Sequence, residues 1–407
     1  MRMKLPYDKG LKVVSLFDGV SCGRIALEKT GYAVSSYIAF EIDKYAKAIS
    51  RYNYPCIEQH GNVLDADFTK YEGYGLVIGG SPCTFWSIAK ANRDINKSGE
   101  GWKLFMRFVE AVRQIKPLYF LYENVASMPS NIKDYISEEL GCKPILINSA
   151  LVSAQNRKRL YWSNIGGVDC NSGGITQPPD KGILLKDIIE SGMPYQDKSH
   201  CLTASYSGSV IWNSLERKQR SMVAEPITLS DKSQTILATL HKENALSMVK
   251  RQKTGLFVAE EVGAALRTRE DEYGKFKRLE VRGDGKLNAL TTVQTDSVIC
   301  YPVHIGQIDK ITHTDRVYHV KDKTVCIITN NAKAAVYKIN LPDGYYTFRK
   351  LSVIEAERCQ TMPDNYTAFG IDDNGNTVNI SNTQRYRTIG NGWTVDIIAH
   401  IFSHIQI

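Results

Sequence analysis

The first 165 or so residues alternate short apolar runs with stretches whose apolar side chains recur at helical spacing, a pattern that few architectures other than a layered α/β sheet accept. Leu11-Lys-Val-Val-Ser-Leu-Phe17 reads as the opening strand, a helix from Gly23 to Thr30 stops at Gly31, and Tyr37 to Glu41 reads as the next strand. Further strands are expected over Gly75 to Ile78, Leu118 to Tyr122 and Ile145 to Leu151. A helix is expected from Trp102 to Ile115, ended by Pro117. The expected fold class is α/β, Rossmann-like and doubly wound.

From about Gly167 to Tyr346 helical periodicity fades, and stretches rich in Ser, Thr, Lys and Arg separate short apolar runs. A second, β-rich domain is expected there. Within it Leu202-Thr-Ala-Ser205, Leu237-Ala-Thr-Leu240, Leu266-Arg-Thr-Arg269 and Leu290-Thr-Thr-Val293 share a loose theme, readable as chance likeness of Leu-Thr strands or as a degenerate repeat. Helical spacing returns in Leu351 to Cys359 and again from Trp393 to Ile405, so the chain is expected to rejoin its first domain. The expected parts are thus 1–166, 167–346 and 347–407.

Composition narrows the class of chemistry less than the pattern does. With 43% hydrophobic and 23% charged residues, the chain can bury a proper core. The nine cysteines contain no Cys-x-x-Cys pair, so neither a disulfide framework nor a zinc site is suggested, and no metal is expected. Reduced thiols fit a cytoplasm, and the apolar run at Leu11 to Phe17 is too short for a signal peptide or a membrane span. A formal net charge of +8 suits a polyanionic partner without demanding one.

The residues that carry chemistry sit where apolar runs end. Phe17-Asp18-Gly19-Val20-Ser21-Cys22-Gly23 is a glycine-bearing turn that opens a helix, although it lacks the three-glycine dinucleotide spacing. Glu41 ends the second strand and is placed as an acceptor for ribose hydroxyls. Val77-Ile-Gly-Gly-Ser-Pro-Cys83 stops a strand at a stiff turn and presents a thiol at the edge where ligands bind in open α/β sheets. Tyr122-Glu123-Asn124-Val125 places a carboxylate at the end of another strand, and Gln155-Asn156-Arg157-Lys158-Arg159 puts two guanidiniums on one face of an extended segment. Thiol, carboxylate and guanidiniums can converge on one small planar base.

These motifs, in this order and spacing, resemble the DNA (cytosine-5)-methyltransferases. The resemblance extends to a closing block running from Arg349, Leu351 and Ser352 through Glu355, Arg358, Gln360 and Pro363 to Gly390-Asn391-Gly392-Trp393. The catalytic wording is similar to that of the mammalian de novo enzymes, while the layout, with a variable region between the arginine motif and the closing motifs, is similar to bacterial or phage enzymes. What the resemblance implies is an S-adenosylmethionine-dependent domain with an inserted target-recognition domain, acting on double-stranded DNA in the cytoplasm of a bacterial cell or a phage-infected host. A monomer is expected, with a cognate restriction endonuclease as a further candidate partner and S-adenosylhomocysteine as the cofactor product.

Residue by residue, the resemblance implies that Cys83 attacks carbon 6 of a flipped cytosine, that Glu123 protonates ring nitrogen 3, and that Arg157 and Arg159 hold the base's carbonyl oxygen. Phe17, Asp18, Gly19, Ser21, Gly23, Glu41, Ile42, Asn62, Val63, Asn391, Gly392 and Trp393 are the expected cofactor residues. Asn62 stands where the family usually has Asp, its amide oxygen still able to accept from the adenine amino group, and Thr84 where it often has Asn or Gln. The loop from Ser87 to Glu100 is expected to close over the base, with Ser87, Lys90, Arg93 and Gln155 contacting DNA. A tRNA methyltransferase on the same scaffold is the runner-up, disfavoured by the domain-sized region 167–346, and a catalytically dead DNA-binding scaffold is disfavoured by the intact Cys83, Glu123, Arg157 and Arg159.

Overall fold

The computed structural model describes residues 10–88, 92–166, 174–226 and 339–406, and between the last two the backbone of a series of strands. Its contacts divide the chain into two units, one of residues 1–190, 197–208 and 351–407, the other of 191–196 and 209–350.

The first unit is built on seven strands, β1 (Leu11–Leu16), β2 (Val34–Phe40), β3 (Glu58–His60), β4 (Leu76–Gly79), β5 (Tyr119–Val125), β6 (Ile145–Asn148) and β7 (Lys158–Ser163). They lie in the order β3-β2-β1-β4-β5-β7-β6. The first five run parallel, β1, β4 and β5 as buried apolar runs should and the short polar β3 at the sheet edge, and their direction of travel along the sheet reverses between β1 and β4. Such a reversal leaves a crevice outside the carboxyl ends of the two strands. β7 alone runs antiparallel to its neighbours β5 and β6, which brings its first residues to the carboxyl end of β5: Arg159 pairs with Val125 and Tyr161 with Glu123.

Helices α1 (Cys22–Lys29), α2 (Lys44–Asn53), α3 (Glu100–Ile115) and α4 (Ser130–Leu140) connect the strands. The start of α2 is set by Asp43, whose side chain accepts from the Tyr45 and Ala46 backbone N–H groups and so satisfies two of the donors a helix leaves open. α3 buries Trp102, Phe105, Phe108, Val109 and Ile115 along one stripe, and Phe108 packs on Tyr122 of β5 at 4.9 Å between ring centroids. The closing helices Val353–Cys359, Asn382–Asn391 and Val395–Phe402 return to this unit, as the periodicity requires. Val395–Phe402 lies against α1, where Lys29 pairs with Asp396 at 2.7 Å.

The second unit is antiparallel sheet, so the β-rich reading of this region fits the strands described there. Strands β8 (Met193–Pro194), β9 (Met222–Pro226), β10 (Val262–Asp271), β11 (Gly274–Val281), β12 (Val298–Cys300), β13 (Tyr318–Lys321), β14 (Thr324–Ile328), β15 (Ala334–Lys338) and β16 (Gly344–Lys350) form one sheet ordered β15-β14-β13-β16-β9-β8 and another ordered β11-β10-β12. Tyr195, Ile211, Met222, Ile339, Tyr346 and Phe348 form its described core.

The boundary between the units falls later than composition suggests. Residues 174–190 and 197–208 pack with the first unit because their apolar side chains are used there: Leu185, Leu202 and Tyr206 are buried, and Lys181 pairs with Asp396 at 2.7 Å. The four-fold Leu-Thr theme does not survive as a structural repeat among the described residues. Leu202-Thr-Ala-Ser205 is irregular chain in the first unit, Leu266 to Arg269 lies in a strand of the second, and the segments at 237–240 and 290–293 lie outside the described residues. No helix among the described residues is long and apolar enough to cross a membrane, and none of their His, Cys, Asp and Glu side chains cluster as a metal site would.

Candidate active site

The crevice at the carboxyl ends of β1, β4 and β5 encloses about 320 Å³. At one end it is lined by Phe17, Gly19, Glu41, Ile42, Asn62 and Val63, and at the other by Cys83, Glu123, Arg157 and Arg159, with Asn391 and Trp393 closing it from the C-terminal segment.

The thiol end follows directly from strand endings. β4 stops at Gly79, and Gly80-Ser81-Pro82 turns the chain so that Cys83 begins a single helical turn at the crevice. A side chain at Gly80 has no room, since an added methyl would lie 2.9 Å from Glu123 Oε2 and 3.2 Å from Trp393 Nε1. Glu123, only 8% exposed, receives Arg159 Nε on Oε1 at 2.8 Å and Trp393 Nε1 on Oε2 at 2.9 Å. Burial pushes the Cys83 thiol above its ordinary value, Arg159 pulls it back down, and Glu123 adds to the rise. Cys83 is therefore a neutral thiol at rest, with a guanidinium and a carboxyl poised beside it.

The opposite end is built from the turn after β1. Phe17, Gly19 and Ser21 all take left-handed backbone angles, and the two that are not glycine hold strain that the buried Asp18 secures by accepting from Ser15, Ser21 and Tyr37 at 2.6, 2.5 and 2.8 Å. Glu41 lies across from this turn, one oxygen accepting from Gly19 N–H and the other from the Ile42 and Asp43 N–H groups, at 2.7–2.8 Å. Burial raises the Glu41 carboxyl above its ordinary value while those three backbone bonds oppose it. Ile42 stands 73% exposed at the crevice, an apolar side chain left largely uncovered by the described residues.

A family model for C-5 cytosine-specific DNA methylase matches residues 11–407. The chain belongs to that family. Among similar proteins, the orphan methyltransferase M.SPRI of Bacillus phage SPR is 23% identical over 97% of this chain and 97% of its own length. The type II methyltransferase M.Sau3AI of Staphylococcus aureus is 23% identical over 97% of this chain and 95% of its own. The solved structure of the Entamoeba histolytica methyltransferase EhMeth superposes with a TM-score of 0.52 at 14% identity, covering 97% of this chain and 98% of that one. That of a mutant form of Spodoptera frugiperda DNMT2 gives 0.50 at 14%, covering 97% and 99%. The protein is a DNA (cytosine-5)-methyltransferase with the α/β fold of this class, and DNA is the substrate that family membership implies.

Not every residue singled out from the methylase motifs faces the crevice. Asp18, Ser21 and Gly23 lie behind its wall: Asp18 and Ser21 bond to each other, Ser21 also to Ser50, and Gly23 leaves room for Ile78 beneath α1. Gly392 is likewise buried and offers its carbonyl to Arg157 and Gln360 at 2.8 and 3.1 Å. Arg157 lines the crevice, yet its guanidinium is engaged by the protein, donating to the Leu202, Gly390 and Gly392 carbonyls and to Cys201 Sγ. The Asn62 amide oxygen accepts from Leu64 N–H at 3.0 Å, so it serves the local turn before it can serve an adenine.

The expected DNA contacts change more. Gln155 is fully buried, joining Cys359 O, Gln360 Oε1 and the Leu202 N–H, and cannot reach DNA. Arg93 donates to the Ser127 carbonyl at 3.0 Å, holding the loop after Cys83 to the protein. Ser87 stays near the thiol, its N–H donating to Cys83 O, and Lys90 lies outside the described residues. Cys201 and Arg387 carry no mark in the methylase motifs. Cys201 reads as an ordinary residue of a polar stretch, but Arg157 and Arg159 hold its thiol below the ordinary value against the upward push of burial. Arg387 reaches the crevice from the helix Asn382–Asn391 and pairs with Asp43 at 2.9 Å.

Proposed function

We propose that the enzyme transfers the methyl group of S-adenosylmethionine to carbon 5 of a flipped-out cytosine in double-stranded DNA, through a covalent bond from Cys83. The observation that carries this reading is the meeting of Cys83, Glu123 and Arg159 at one end of a crevice whose other end is lined by Phe17, Gly19, Glu41 and Ile42. The second end suits the cofactor: Gly19 leaves open space beside a carboxylate held firmly by three backbone donors, and Ile42 offers an uncovered apolar face for adenine. Bound there, S-adenosylmethionine supplies a methyl group on a positively charged sulfur.

Carbon 5 of cytosine is too weak a nucleophile to take that methyl unaided. Cys83 supplies what is lacking: its thiol gives its proton to solvent, its sulfur bonds to carbon 6, the electron pair of the 5,6 double bond shifts to the 4,5 bond, and ring nitrogen 3 takes a proton from the protonated Glu123 carboxyl, leaving a carboxylate. Arg159, fixed against Glu123, would stabilise the charge that gathers on the base's carbonyl oxygen. After methylation, loss of the carbon-5 proton to solvent expels the sulfur, returns the nitrogen 3 proton to Glu123 and restores the aromatic ring. The base must first leave the stack, at a cost of a few kcal/mol, offset in part by a pocket that accepts it.

Target choice is assigned to the second unit and localisation to the cytoplasm of a bacterial cell or an infected host. The enzyme is taken as a monomer. Type II and orphan relatives frame two ways of working, beside a restriction endonuclease or alone. Incubating plasmid DNA with the enzyme and S-adenosylmethionine, then digesting to nucleosides for mass spectrometry, is expected to yield 5-methylcytosine only when the cofactor is present. Methylated tRNA with unmodified DNA would refute the reading.

A further inference from the structure

Trp393 lines the same crevice as Phe17 and Gly19, and its indole N–H donates to Glu123 Oε2 at 2.9 Å while Arg159 Nε takes Oε1 at 2.8 Å. Its own place is set by the chain on either side. The Gly392 carbonyl is clamped by Arg157 and Gln360, and Thr394 Oγ1 donates to Gln360 Oε1 and accepts from Ser149, each at 2.8 Å. These partners are buried, so the indole hangs from a rigid mount.

We propose that Trp393 is a positioning residue for Glu123, its indole N–H fixing one carboxyl oxygen as Arg159 fixes the other. Two fixed donors on two oxygens define the plane of the carboxyl, which has about four acceptor directions and would otherwise turn about its last bond. Geometry within a fraction of an ångström matters for proton delivery to a ring nitrogen. Arg157 then acts at one remove, since its clamp on Gly392 holds the tryptophan. This inference rests on Glu123 being the acid of the proposed reaction.

The test is a double-mutant cycle with Trp393→Phe, which keeps an aromatic face but lacks the N–H, and Glu123→Ala, read in single-turnover methylation. Trp393→Phe should lower the rate tenfold or more, while cofactor affinity by equilibrium titration stays within about twofold. In the Glu123→Ala background the same change should cost almost nothing. A loss of equal size in both backgrounds, or a loss confined to cofactor affinity, overturns the proposal. Gly80→Ala gives an independent arm with both partners retained, because the added methyl would press on Glu123 Oε2 and Trp393 Nε1 together. It should reproduce the rate loss and add little to Trp393→Phe; full activity in Gly80→Ala contradicts the proposal. A Glu123→Ala enzyme that keeps the wild-type rate would instead strike the reading of Glu123 as the acid, and the two failures are told apart by that single variant.

Discussion

Cys83 pairs a nucleophile's position with a resting thiol's protonation. Burial lifts the thiol above its ordinary value and Arg159 offsets only part of that rise, so the thiolate fraction grows with pH throughout the neutral range. Alkylation of Cys83 in the free enzyme, followed by peptide mapping, should therefore keep accelerating up to about pH 9. A plateau near neutrality would mean that the thiolate is already formed. Glu123→Gln should preserve the fold and lower turnover by about 10² to 10⁴, the range for a general acid. Wild-type turnover in that variant would remove Glu123 from the mechanism.

Much of this end of the crevice was legible in the order of motifs, because strand endings announce themselves through glycine and proline. The side of the wall on which a residue falls was not. Gln155 and Arg157 look like surface donors in the chain, yet each satisfies buried carbonyls brought from residues more than 40 positions away. Gln155→Ala leaves Leu202 N–H without its partner and Cys359 O with the Ser153 hydroxyl alone, and should cost about 1–3 kcal/mol of stability with DNA affinity unchanged. Weaker DNA binding with no loss of stability would return Gln155 to the interface.

At the scale of elements, β1, β2, β4, β5 and α3 could be read from periodicity, since their apolar burial is written into the residues, whereas the three polar residues of β3 carry no such pattern. α2 was not singled out, because Tyr45, Lys47, Tyr52 and Asn53 blur its apolar stripe, and its start depends on the Asp43 cap. Nor can apolar alternation distinguish an antiparallel β7 from a parallel one, although only the antiparallel choice delivers Arg159 to Glu123. The packing beneath the site belongs to this scale. Phe108 is fully buried between β4 and Tyr122, and Phe108→Ala should cost about 3–5 kcal/mol in denaturant unfolding. A cost below about 1 kcal/mol would show that α3 does not support the sheet there.

For the molecule as a whole, the unit that holds the crevice is interrupted in sequence by an antiparallel one. The chain leaves the first unit, forms its antiparallel sheets, and returns to complete the first unit's wall with Asn391 and Trp393. Composition located this departure but not its edges, because 174–190 and 197–208 are polar segments anchored by a few buried apolar residues. Exchanging residues 209–350 for the matching region of a relative should transfer the target sequence, read by bisulfite mapping. The account as a whole turns on one covalent bond. DNA carrying 5-fluorocytosine at the target, given the enzyme and S-adenosylmethionine, should accumulate a denaturation-resistant complex, because fluorine replaces the proton whose loss frees the sulfur. Peptide mapping should place the adduct on Cys83, and Cys83→Ser should form none while still binding DNA in a salt-sensitive way. A complex that forms equally well with Cys83→Ser, or an adduct on Cys201, would contradict the account.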